Sequence, residues 1–513
     1  MQMTVARYDY IIVGSGAAGG VAAHYLSANA NLQILVLEAG DRDTDPDIHQ
    51  IGSFVKLWGS DYDWKLLTEP QAGLAGRQIV INQGKVVGGG SSVNALMYVR
   101  GNPKNFDEWS AAGATGWSYR ELLPGFKALE DFEGGASEYH GVGGPLKVRD
   151  CPEAAMRSEE FLVGATELGY DGPHWDYNGA RQENGAGYLQ FHIDDKGERV
   201  SSATAFLTPA LERPNLTLEV RAEVTRLLID QTKVVGVEYV QDGEVKQVQV
   251  EREVIISAGA LQSPKLLMLS GIGAADHLGS LGIPVVVDLP GVGQNLQDHL
   301  QLPIVFRTKE DRPKPLLLTG NALFVNTRSS TPDAAPDLQL NFTPAVPAQL
   351  APVLDFGGPA CIFLAILVQP KSIGEVKLRS SNPQDAAIIN PNYLTDAADV
   401  QTLVKSIELA RAIAGTKAFT DMNIGEIVPG ATDLAEIEGF IRTQASTLWH
   451  PAGTCKIGQG PDAVVDPQLR VHGVEGLRVA DASVMPTVTS GNTVAASFLI
   501  GAKLAEFVLS SNS

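Results

Sequence analysis

Cysteine, positive charge and long apolar runs are all scarce in this chain of 513 residues. Its three cysteines, Cys151, Cys361 and Cys455, lie far apart with no CxxC pair. That excludes a disulfide framework and points to a reducing, cytoplasmic compartment. No cluster of histidines stands at metal spacing either, so no metal is expected. Lys and Arg number 39 against 59 Asp and Glu, a formal charge of −20. Such a surface repels polyanions, which makes nucleic acid and acidic membrane surfaces poor partners and leaves small molecules. The most lipid-like stretch, Ile362 to Val368, has seven residues, whereas a spanning helix needs about 20. It reads as a buried strand, and no membrane span is expected. The first residues lack a basic n-region, an apolar h-region and a cleavage site, so no signal peptide is expected.

What is present is a chain with 44% hydrophobic residues, enough for large cores and more than one domain, with the segments of each domain free to interleave. Tyr8 to Val13 is a short apolar, β-branched run that ends in Gly14-Ser15-Gly16-Ala17-Ala18-Gly19-Gly20. Helix formers follow over Val21 to Leu26, then a second strand, Gln33 to Leu37, closed by Glu38-Ala39-Gly40. This β-loop-α-β order predicts a dinucleotide site: glycines give a tight turn and close backbone approach, and the helix N-terminus favours a pyrophosphate. Glu38 stands where an acid accepts ribose hydroxyls, and it disfavours a 2′-phosphate. The motif leaves NAD and FAD both open.

A second glycine cluster, Gly84 to Ala95, offers three consecutive glycines, two serines and Asn94, a line of approachable backbone amides or a flexible loop. Val254 to Ser257 reads as a further strand, running through a small-residue turn into a helix over Lys265 to Leu269. Leu216 to Val220 reads as β, and Val234 to Val240 meets Val248 to Ile256 across Gln241-Asp242-Gly243, a hairpin signal. Eight prolines between Arg307 and Ala360 argue for loops and edge strands in a second, mostly β domain. From Asp396 to Gly415 the apolar spacing is helical.

Several ordered segments together resemble the glucose, methanol and choline oxidoreductase family of FAD enzymes. They are Gly84 to Asp107, Gly259 to Gly273, Asn295-Leu296-Gln297-Asp298-His299 and Leu477 to Pro486, behind the N-terminal glycine motif. The resemblance implies an α/β fold: a Rossmann-like FAD-binding domain built from discontinuous segments, with an inserted α+β substrate domain containing an antiparallel sheet. The expected division is 1–155, 200–300 and 445–513 for the first domain, and 156–199 and 301–444 for the second. It also implies that Gly14, Gly16, Ala17 and Gly19 hold the pyrophosphate of FAD and that Glu38 and Ala39 meet its ribose. Val86, Gly90, Asn94 and Ala95 would lie along the flavin half, Val224 at the adenine end, and Ala258, Asp481, Ala482 and Thr493 would close the site. Some relatives bond the flavin covalently to a histidine after the glycine-serine run; Val93 stands there in this chain, so non-covalent FAD is expected.

Oxidising an alcohol to a carbonyl needs a base at the hydroxyl and a hydride acceptor over the carbon. Of nine histidines, His450 in Trp449-His450-Pro451-Ala452-Gly453 matches the family's base, and Asn492 in Ser490-Gly491-Asn492 matches its partner, which also adjoins the cofactor. Trp449 is a wall of the substrate pocket or core, and Val368 likewise. Asp298 and His299 are read as structural. The surroundings of these residues are most similar to the hydroxymethylfurfural oxidase, aryl-alcohol oxidase and choline dehydrogenase branches. The resemblance thus implies oxidation of a primary, aromatic or furanic alcohol to the aldehyde, with oxygen or another electron acceptor. A dehydrogenase, a fatty acid photodecarboxylase, a hydroxynitrile lyase and a flavin-binding protein without turnover remain the alternatives.

Overall fold

The computed structural model describes residues 7–331 and 333–511. The residues before Arg7, on which the signal-peptide expectation bears, and Pro332 lie outside them. The chain builds two seven-stranded sheets. In the first, Arg7–Val13 pairs in parallel with both Ile34–Leu37 and the end of Glu244–Ile256, and Leu216–Glu219 and Leu477–Val479 extend it. Ile11, Ile12 and Val36 have no exposed surface, as expected where helices cover both faces of a parallel sheet and the strands become continuous apolar runs. An antiparallel hairpin, Lys233–Gln241 against Glu244–Ile256, continues the sheet, and Ala222–Asp230 pairs antiparallel with Lys233–Gln241 to complete it. The hairpin tip holds Asp242 at φ 52° and Gly243 at φ 80°, the left-handed pair that a two-residue turn requires.

The second sheet is antiparallel and takes its strands in the order 423–428, 300–308, 360–367, 338–343, 321–325 and 185–188. Period-2 alternation splits its residues. Leu302, Leu340, Phe342, Phe363 and Ala365 join one core with Leu403, Ile407 and Ala410 of the helix Ala397–Ala414, each large side chain contributing about 1.5–3 kcal/mol by burial. The opposite face carries Asn341, Leu364 and Ile366 into a cavity between the sheets. Asp396 caps the helix by accepting from the Ala398 amide, and Gly415 follows its end.

Two boundaries differ from expectation. The buried strand is Ala360–Leu367, so Val368 stands just past its end. The helix expected from Lys265 begins at Gly259, with Pro264 inside it. A proline leaves the carbonyl four residues back without its N–H; here that is the Ala260 carbonyl, and the Thr454 hydroxyl donates to it at 2.6 Å.

Candidate active site

A cavity of about 280 Å³ is walled from Glu38 and Val224 at one end to His450 and Asn492 at the other; a separate one of about 50 Å³ lies at Thr308 and Asp421. The nucleotide end is made largely of backbone. Gly14 lies at φ 97°, and a Cβ there would stand 2.4 Å from the Ser257 carbonyl oxygen. A Cβ on Gly89 would come within 2.7 Å of the Gly16 Cα, so the two glycine runs touch back to back. The helix Ala17–Ser27 starts beside them with no side-chain cap and no acid in its first turn. Its first amides therefore remain available to an anion. A Cβ on Gly90 or Gly259 would meet no protein atom within 4 Å, and both residues line the cavity. A long ligand with a phosphate centre fits this cradle.

Glu38 is buried and accepts from the Ser15 amide at 2.9 Å, the Ser15 hydroxyl at 2.7 Å and the Gly40 amide at 2.8 Å. Burial pushes its pKa up against those bonds. Asp481 is similar: it accepts from the Gly259 amide at 2.9 Å, the Ser263 hydroxyl at 2.5 Å and the Ser483 amide at 2.8 Å. Asn94 is pinned by Arg199, whose buried guanidinium donates to the Asn94 side-chain oxygen at 2.6 Å and its carbonyl at 2.7 Å. The remaining guanidinium bonds go to the Ser91 and Ile48 carbonyls, and burial lowers the Arg199 pKa to about 9.

The sequence-derived residues Gly14, Gly16, Ala17, Glu38, Ala39, Gly90, Asn94, Ala95, Val224, Ala258, Asp481, Ala482, Asn492, Thr493, Trp449 and His450 all line this cavity. Three others stand behind its wall. Gly19 packs helix on turn, since its Cβ would fall 2.0 Å from the Gly14 carbonyl oxygen. Val86 lies in a buried cluster with Ile48, Leu57 and Val93. Val368, fully buried, packs with Ile366 and Leu448; the wall is made instead by Leu364 and Ile366 of its strand.

At the His450 end, Leu300 pairs with Thr447, and the Leu448 amide donates to the His299 carbonyl at 2.8 Å. This pairing sets His299 beside His450. Trp449 takes φ 61°, a left-handed conformation rare for so bulky a residue, of the kind found where structure re-aims a neighbour. The His450 amide donates to Asp298 at 2.8 Å. Asp298 also accepts from the Thr447 hydroxyl at 2.5 Å and from the Tyr393 hydroxyl; burial raises its pKa to about 6.

The His450 ring has two contacts: Nδ1 lies 3.0 Å from His299 Nδ1, and Nε2 lies 3.3 Å from Asn492 Nδ2. An amide nitrogen only donates, so Nε2 bears the lone pair and the proton sits on Nδ1, shared with an accepting His299 Nδ1. Burial holds His299 well below the usual histidine range and brings His450 down to about 3. Both rings are neutral at pH 7. The Oδ1 of Asn492 and the Nε1 of Trp449 have no partner among the described residues. The arrangement can take a proton at His450 Nε2 and hydrogen-bond a hydroxyl beside it. His299 and Asp298, read from sequence as structural, thus touch the histidine directly, a contact set by the pairing of 300–301 with 446–447. Trp58, which also lines the cavity, has its ring centroid 4.4 Å from that of Trp449, and nothing in the sequence marked it.

Residues 8–301 and 370–501 match the family models described as GMC oxidoreductase. Mitochondrial choline dehydrogenase of Mus musculus is 38% identical over 98% of this chain and 89% of that protein. The alcohol dehydrogenase [acceptor] of Pseudomonas putida is 38% identical over 98% of this chain and 96% of its own. Among solved structures, pyridoxine 4-oxidase from Mesorbium loti is similar with a TM-score of 0.91 and 33% identity, covering 97% of this chain and 98% of that one. With its glycine-lined cradle and its histidine-asparagine pair, the chain belongs to the GMC oxidoreductase family, FAD-binding enzymes that act on CH–OH donors.

Proposed function

We propose that this protein oxidises a primary alcohol with an aromatic or furanic body to the aldehyde, with non-covalent FAD and with oxygen as electron acceptor. The observation that carries the reading is the neutral His450–Asn492 pair at the end of a glycine-lined cavity. His450 Nε2 accepts the hydroxyl proton, a step worth a rate factor of about 10²–10⁴. Asn492 donates to the substrate oxygen as charge develops there and fixes its orientation. His299 and Asp298 hold the ring and its tautomer. Bound FAD supplies the hydride acceptor. Gly14, Gly16, Glu38, Gly90, Asn94 and Asp481 would hold it.

The walls support an apolar ring over a quaternary ammonium. Trp58, Trp449, Leu364 and Ile366 surround the catalytic end. The acids that line the cavity are Glu38, Glu223 and Asp481; the first and last are bonded to backbone amides and serine hydroxyls. A choline ammonium favours an aromatic cage with a carboxylate. The similar pyridoxine 4-oxidase is named for a ring-bearing substrate and for oxidase activity, while the choline and alcohol dehydrogenase relatives favour a second reading in which another carrier replaces oxygen. Retention of His450 and Asn492 weighs against a photodecarboxylase, and a lyase would leave the flavin unbleached.

The test is an anaerobic visible spectrum before and after 5-hydroxymethylfurfural or benzyl alcohol, followed by air. Bleaching that air quickly reverses is the expected result. Bleaching that persists in air favours the dehydrogenase, and no bleaching with any alcohol contradicts the reading. Val93 packs its side chain among Ile48, Leu57 and Val86 and offers no nucleophile. Acid precipitation is therefore expected to leave all yellow colour in the supernatant; colour in the pellet contradicts non-covalent binding.

A further inference from the structure

A buried polar pair, of which Asn341 lines the cavity, is not used by the chemistry above. On the strand Leu338–Thr343, Gln339 and Asn341 share the face turned away from the helix-packed core, and both are buried. Gln339 Nε2 donates to Asn341 Oδ1 at 2.9 Å. In this orientation the Asn341 Nδ2 is turned away from Gln339, and the Gln339 Oε1 is likewise left without a partner among the described residues. The Nδ2 has no hydrogen-bond partner among the described residues. A buried donor left unmade is costly and rare in native proteins. Asn341 also lines the cavity, so a bound ligand is the partner available to it.

Strand register places this donor relative to the base. Gln339 pairs with Ile366 and Asn341 with Leu364. Ile366 packs on Leu448, two residues before His450. Asn341 therefore stands one repeat, about 7 Å, further along the wall than the Ile366 level. A substrate with its carbinol at His450 and its body along Ile366 and Leu364 brings its far end to Asn341.

We propose that Asn341 determines specificity by donating a hydrogen bond from Nδ2 to a neutral acceptor, a carbonyl oxygen or ring nitrogen, at the end of the substrate remote from the reacting carbinol. The substrate class is thus an apolar-bodied primary alcohol with a distal neutral acceptor. This rests on the alcohol-oxidising reading above and names its substrate more closely.

The probe pair is 5-hydroxymethylfurfural, with a formyl acceptor, and 5-methylfurfuryl alcohol, which has a methyl group in its place. In the unaltered holoenzyme the KM for the first is expected to be at least fivefold lower; equal values overturn the proposal. In Asn341→Leu and Asn341→Ala the ratio of the two kcat/KM values is expected to fall at least fivefold. Comparing ratios removes the formyl group's own effect on reactivity. An unchanged ratio in a variant that keeps its FAD overturns the proposal, as does turnover of choline faster than of either furan. If neither furan alcohol bleaches the flavin under anaerobic conditions, the alcohol reading itself fails and this proposal falls with it.

Discussion

At the nucleotide end of the cavity the walls are backbone, with Gly14, Gly16, Gly89 and Gly90 brought together by two short glycine runs. At the His450 end they are side chains drawn from five separate segments: Trp58, Asn341, Leu364, Trp449 with His450, and Asn492. The first kind of wall is specified locally, and at Gly14 it tolerates no added atom, because a Cβ there would collide with the Ser257 carbonyl oxygen 2.4 Å away. The second kind depends on the pairing of strands far apart in sequence, and a single side chain can change there while the fold persists. Cofactor retention and turnover should therefore separate cleanly when each end is altered.

The largest effect is expected at the nucleotide end. Gly14→Val meets both the collision and a backbone at φ 97°, which a β-branched residue rarely adopts. The purified protein should carry no FAD; absorbance near 450 nm equal to that of the unaltered protein would break the comparison. At the other end, Trp58→Ala removes the ring against Trp449 and should raise the KM for benzyl alcohol about tenfold, consistent with roughly 0.5–1.5 kcal/mol per aromatic contact plus lost burial. FAD content should be unchanged, and steady-state kinetics with a flavin assay checks both. The smallest effect concerns pH. Burial favours the neutral His450, which is the form that accepts a proton, so activity persists to lower pH than for a free histidine and is lost only as pH falls through the depressed pKa. The acid limb of kcat/KM should have its midpoint below the ordinary value of about 6.5.

The same contrast explains what could be read in advance. The glycine turn, the hairpin at Asp242-Gly243 and the helix Ala397–Ala414 are encoded by residues a few positions apart. They were legible from spacing alone. His450 and Asn492 were legible through the order of the family's motifs. The residues that stand apart from the cavity lining do so for tertiary reasons. Val368 has the parity of Leu364 and Ile366, yet it lies one residue beyond the strand and Leu448 packs against it. Gly19 and Val86 belong to glycine-rich motifs that touch the cofactor site, but their own place is the packing behind it. His299 gave no local sign of its contact with His450, because that contact follows from the pairing of Leu300 with Thr447.

The most direct measurement of the central claim is anaerobic rapid mixing of 5-hydroxymethylfurfural with the FAD-loaded protein and with an equally loaded His450→Ala variant, followed at the flavin absorbance. If His450 Nε2 takes the hydroxyl proton, bleaching slows by a factor of about 10²–10⁴ in the variant while its FAD content is unchanged. Equal bleaching rates in the two proteins would contradict the account.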